Sequence, residues 1–227
     1  SIFGFLVARE AYSTAILAPL FIVMSLLYGT AVYYLILRLI SKFHDTYITT
    51  DILDNLKKLS VMFLFANLYF LGLYHVTNMY IAKHLDFEIF ILSSGGIYTI
   101  SFWVGQVFIG IILPIIILSS NKLCTHLALT ISSILILIGS FIAMYVIIIG
   151  GQAYPLTIFP DHIIIDSSFF DNVVHSYIPS VYEFGLGIGG IALALIIVLV
   201  GIANFKFLPT MISSLHKKEA AEKSSDS

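Results

Sequence analysis

The chain has 227 residues, of which 59% are hydrophobic and 11% charged, with a mean hydropathy of +1.01. Soluble domains carry about 25% charged residues, so the composition excludes a soluble domain and makes the lipid bilayer a partner; the net charge of −2 excludes a nucleic-acid footprint. The single cysteine, Cys124, excludes an intrachain disulfide framework, and also an iron–sulfur cluster or Cys-rich zinc site supplied by this chain alone.

Residues 1–13 (SIFGFLVAREAYS) read as an interfacial lead-in. Arg9 and Glu10 within it are either an interfacial anchor or a buried pair facing a cavity. No charged n-region precedes a short apolar run, so no signal peptide is expected. Five apolar segments follow, each long enough to span ~30 Å of hydrocarbon at 1.5 Å per residue. They lie at about 14–40, 58–82, 96–119, 126–149 and 181–206. The fold expected is all-α and integral to the membrane, a bundle over 14–209. The polar stretch 41–57 is expected to hold a short amphipathic helix, and the apolar FEIFILSSGG within 83–95 to lie in the interface. Residues 210–227 form a charged tail.

Arg38, Lys42, Lys57, Lys58, Lys122, Lys206, Lys217, Lys218 and Lys223 fall on one side of such a bundle, and Arg9 and Lys83 on the other. Cytoplasmic loops carry the excess of Lys and Arg. The tail is therefore expected in the cytoplasm of a cell bounded by this inner membrane, and the loop 150–180 outside.

That loop, GGQAYPLTIFPDHIIIDSSFFDNVVHSYIPS, holds Pro155, Pro160 and Pro179 and neither Lys nor Arg. Its prolines preclude one continuous helix, and its aromatic content argues against a free linker. Asp161, His162, Asp166, Asp171 and His175 are metal-ligand types, but their spacing matches no metal signature. A surface for docking a partner, with Gln152 and Tyr154, is the better reading.

Of seven histidines only His75 lies well inside a span, so no haem held by this chain is expected. Asn67, Tyr74 and Asn78 are spaced 7 and 4 and share one face of the second span, with His75 beside it. Two readings stand: a quinone or proton site, in which His75 exchanges protons near neutral pH, or polar groups that hydrogen-bond neighbouring helices. Gln106, Tyr98 and Trp103 on the third span fit a quinone pocket, or helix contacts and an aromatic belt; Pro114 should kink that span. Glu183 opens the fifth span as a proton-handling carboxylate or an interfacial acid. Gly185 and Gly189 behind it form a GxxxG that signals packing.

The runs GGQAYPLTIFP, SSFFD and HSYIPSVYEFGLGIGGIALAL resemble the NrfD or polysulfide-reductase membrane-subunit family, and within it the DsrP-type subunits of the sulfite-reduction-associated complex. The hydrogenase subunit HybB is similar, more distantly, at Pro179, Ser180, Glu183, Gly189 and Gly190. IFGFLVAREAY and FWVGQVFIGIILP also look like this family. The resemblance implies a quinol-interacting anchor without haem or iron–sulfur cluster of its own, in which these five spans match the C-terminal of two bundles. It implies menaquinone as bound substrate and a ferredoxin-like iron–sulfur subunit on the outer face. Cytochromes are among the candidate further subunits, and sulfur-compound respiration is the setting. On this basis menaquinol would give its electrons to the partner and release protons near His75, Gln106 or Glu183. The alternative is a non-catalytic anchor or proton path without quinone contact.

Overall fold

Helix α2 (Thr50–Tyr80) explains how the bundle forms. Its buried residues are Leu53, Leu56, Ser60, Leu64, Asn67, Leu71, Tyr74 and Asn78, at steps of three and four. Such steps keep one narrow stripe against a neighbour. The stripe starts inside the stretch expected to be a separate amphipathic helix, so the helix runs unbroken from Thr50. Helix α1 (Leu17–Phe43) presents a matching stripe of Leu17, Leu20, Met24, Leu27, Ala31 and Tyr34, packed on α2. These contacts belong to a computed structural model that describes residues 11–43, 48, 50–120, 125–155 and 180–204.

The other spans are α4 (Ile97–Ser119), α5 (Thr125–Ala153) and α6 (Val181–Asn204), which gives five helices long and apolar enough to cross a membrane. The short α3 (Leu85–Ile89) lies between α2 and α4. Lipid tails are as apolar as leucine, so close van der Waals packing rather than water exclusion joins these helices. The tightest joint is between α4 and α5. A Cβ on Gly110 would lie 2.9 Å from Gly139 Cα, and one on Gly139 would run into the Gly110 backbone. Gly139→Leu should therefore force α4 and α5 apart, at a cost of about 1–3 kcal/mol. A thermal unfolding curve in detergent would test this; an unchanged midpoint would contradict the contact.

Helix α4 is not regular. Ser101–Ile112 winds with the wider turn of a π-helix, and the Leu113 amide bonds to Phe108 O. Pro114 follows directly. In a regular helix its missing amide would have bonded residue 110, and its ring would press on that carbonyl. The distortion expected at Pro114 is thus spread over the preceding three turns. Helix α5 ends in a second wide stretch, Tyr145–Gly150. There the Tyr12 hydroxyl lies 3.0 Å from both Ile147 O and Ile148 O, and donates to this pair of carbonyls. Ala11 and Tyr12 are buried, so the described end of the lead-in is tucked into protein rather than lying at an interface.

The connection from α2 to α4 also turns inward. A tight turn at Ala82–His84 leads into α3, and Gly96, at φ +57°, redirects the chain into α4. Only glycine adopts that conformation cheaply. Phe87, Glu88, Phe90 and Ile91 are buried as a result, where the sequence suggested an interfacial segment.

These elements belong to one compact unit, and α6 to a second. Helix α6 opens with a capping box. Ser180 N–H donates to Glu183 Oε2 at 2.6 Å, and Glu183 N–H donates to Ser180 Oγ at 3.3 Å. Among the described residues, nothing lies within 4 Å of a Cβ built on Gly185 or Gly189.

Candidate functional site

The lower half of the α2 stripe and the inward α3 converge on one carboxylate. Glu88 is fully buried, at 0% exposure. Its Oε2 lies 2.6 Å from His75 Nδ1, and its Oε1 accepts from Asn78 Nδ2 at 2.9 Å. Asn78 Oδ1 in turn faces His84 Nδ1 at 3.4 Å. With the Asn78 amide donating to Glu88, its oxygen is the acceptor, so His84 carries its proton on Nδ1. The His75–Glu88 separation is that of a charge-assisted bond, and one proton lies between the two groups. Edge-to-face rings fix the imidazole: Phe102 at 4.7 Å and Tyr74 at 5.0 Å between centroids. Tyr74 itself donates to Ala11 O at 2.8 Å.

His75, Tyr74, Phe102, Gln106, Ala11 and Val146 line a cavity of about 20 Å³. Gln106 is 4% exposed, and its Oε1 has no hydrogen-bond partner among the described residues. An unsatisfied buried acceptor costs about 1–3 kcal/mol. Gln106 also sits within the wide-turn stretch of α4, a distortion often found at functional sites.

Tyr74, His75, Asn78 and Gln106 are thus brought together. Asn67 is buried higher on the same α2 stripe and does not line the cavity. Tyr98 stacks on Tyr145, with centroids 5.6 Å apart. Trp103 is 51% exposed and donates to Leu92 O at 3.0 Å. Tyr154 packs inward between Phe87 and Phe90, while Gln152 is exposed. Glu183 belongs to the capping box of α6, in the other unit. Asp161, His162, Asp166, Asp171 and His175, and Arg9 with Glu10, lie outside the described residues.

Glu88 was missed in the sequence. Its signal was an acid set among Phe87, Ile89, Phe90 and Ile91. Such an acid is a functional candidate by default in a membrane protein.

Burial pulls the His84 imidazole below its ordinary value of 6.5; the Lys83 charge adds to this and Glu88 opposes it. The folded value lies below the unfolded one, so folding favours neutral His84. Its contribution to stability is complete above about pH 6.5 and declines as pH falls from there toward the lower folded value. The melting temperature should therefore drop on acidification through this window, and His84→Gln should flatten the drop. A slope identical in both proteins would count against a buried neutral His84.

The family described as Polysulphide reductase, NrfD matches residues 1–155. The Hdr-like menaquinol oxidoreductase integral membrane subunit of Archaeoglobus fulgidus is 28% identical over 212 residues, which are 92% of this chain and 53% of that protein. The chain therefore spans about half the length of the curated relative it matches. No solved structure matches.

Proposed function

The chain belongs to the polysulphide reductase NrfD family, and from this membership we propose that it is a membrane subunit of a quinol-linked redox complex. In this reading the complex passes electrons between menaquinol and an iron–sulfur partner. The partner docks at the outer face, where Asp161, Asp166 and Asp171 supply the acidic loop. The likeness to the archaeal menaquinol oxidoreductase subunit supports the quinol class. The resemblance of GGQAYPLTIFP, SSFFD and HSYIPSVYEFGLGIGGIALAL to DsrP-type subunits supports a setting in sulfur-compound metabolism.

The observation that carries the reading is His75 at the cavity wall, paired with the buried Glu88. Oxidation of a quinol releases two electrons and two protons. A base close to that chemistry must accept a proton and exclude bulk water while it does so. His75 supplies the imidazole, Glu88 the carboxylate behind it, Asn78 fixes that carboxylate, and Phe102 and Tyr74 fix the ring. The second reading is a proton path or anchor without direct quinone contact.

The deciding experiment is on the complex isolated from native membranes with its partners attached. A reduced menaquinone analogue is added and the iron–sulfur signals are followed by electron paramagnetic resonance. The expected result is cluster reduction that a quinone-site inhibitor blocks. Clusters that are present but never respond to quinol would leave the proton-path reading.

A further inference from the structure

Gln106 and His75 both line the cavity, and Gln106 Oε1 is a buried acceptor without a partner among the described residues. We propose that this cavity is a binding site for a single water, and that the water, His75 and Glu88 form a proton relay.

The size fits. A water needs room for about one water-sized sphere, together with two or more polar partners, and the cavity leaves about 20 Å³ for the centre of such a sphere. Gln106 Oε1 is one partner, an acceptor without a hydrogen bond among the described residues. His75 is the other. Its Nδ1 is committed to Glu88 at 2.6 Å, which leaves Nε2 as the ring atom to serve the cavity. A water that donates to both Gln106 Oε1 and His75 Nε2 removes the cost of the orphaned amide oxygen. It also sets the tautomer: with Nε2 accepting, the ring proton sits on Nδ1 and points at Glu88.

The relay then follows by a shift of two protons. Hydronium formed at the cavity water gives a proton to Nε2; an O–H bond breaks and an N–H bond forms. The Nδ1 proton passes to Glu88 Oε2; an N–H bond breaks and an O–H bond forms. Water, the opposite imidazole tautomer and a neutral carboxylic acid result, and no electrons move. The 2.6 Å separation makes the second transfer short, and the flanking rings of Phe102 and Tyr74 keep the imidazole in line. Asn78 is a positioning residue here, because its amide holds the far carboxylate oxygen.

The proposal does not rest on the quinol reading, because its donor is hydronium. It is tested on the intact complex without added quinol. Electron cryomicroscopy at a resolution that shows waters should give one density within hydrogen-bond reach of Gln106 Oε1 and His75 Nε2. No density there, or that of a larger molecule, overturns the site. Infrared difference spectra on acidification should show a protonated-carboxyl stretch that Glu88→Gln abolishes, and a water band that shifts in oxygen-18 water. A carboxyl difference band that Glu88→Gln leaves unchanged overturns the relay. Gln106→Leu should slow deuterium exchange into that carboxyl on the order of tenfold; an unchanged rate counts against the water's part. Should Gln106→Leu fail to assemble, the density and the oxygen-18 shift in the unaltered protein decide. If these hold while quinol never reduces the partner's clusters, the relay stands and the quinol reading falls.

Discussion

Glu88→Leu is expected to destabilise the first unit by about 1–3 kcal/mol, the usual cost of leaving a buried hydrogen-bonding group without its partner. The loss would come from what remains. His75 Nδ1, 2.6 Å from the carboxylate, and Asn78 Nδ2, 2.9 Å from it, would both be left facing a leucine. The informative comparison is the double variant, His75→Phe with Glu88→Leu. Replacing both hydrogen-bonding partners with apolar groups of similar shape can be nearly neutral, so the double variant should recover the part of the loss that His75 causes, with Asn78 Nδ2 still facing a leucine. It should recover no proton transfer. Denaturation of the two purified variants measures the first point and turnover of the assembled complex the second. Recovery of turnover along with stability would reduce the pair to a packing element.

His75→Asn is the second large effect, and it falls on rate rather than on folding. The asparagine amide can still donate to Glu88, so assembly should persist. It cannot take up and release a proton near neutral pH. Loss of a positioned acid–base group costs typically 10²–10⁴-fold. A fall of about that size in quinol-dependent cluster reduction is expected, with the subunits still co-purifying. His75→Gln, whose longer arm shifts the amide, should be no better. Wild-type turnover in His75→Asn would remove the imidazole from the chemistry.

The five spans were legible because length and hydropathy alone define them. The shared face of Asn67, Tyr74 and Asn78 was legible because helical spacing places it, and all three are buried on one stripe. Glu88 was not, because its role comes from the inward turn of the chain after Tyr80. Nothing in the spacing from His75 announces that the two meet. Glu183 is the opposite case: the Ser180-x-x-Glu183 pattern is a plain capping signal in the sequence, and the capping bonds form. Among the glycines, the repeated motif of α6 drew attention, whereas the close contact within the first unit joins Gly110 and Gly139, which no local motif connects. The sequence offered Tyr154 as part of a docking surface, and its ring packs on Phe87 and Phe90.

The wide winding of Ser101–Ile112 gives α4 slack in length. Its 23 residues would measure about 35 Å as a regular helix, more than the ~30 Å of hydrocarbon to be crossed. A π-type turn holds more residues, so the span is drawn in without a steep tilt. Helix α2 winds regularly throughout, so one residue removed from it turns everything beyond by about 100°, and Asn78 would swing away from Glu88. A deletion in the second span should therefore dismantle the site.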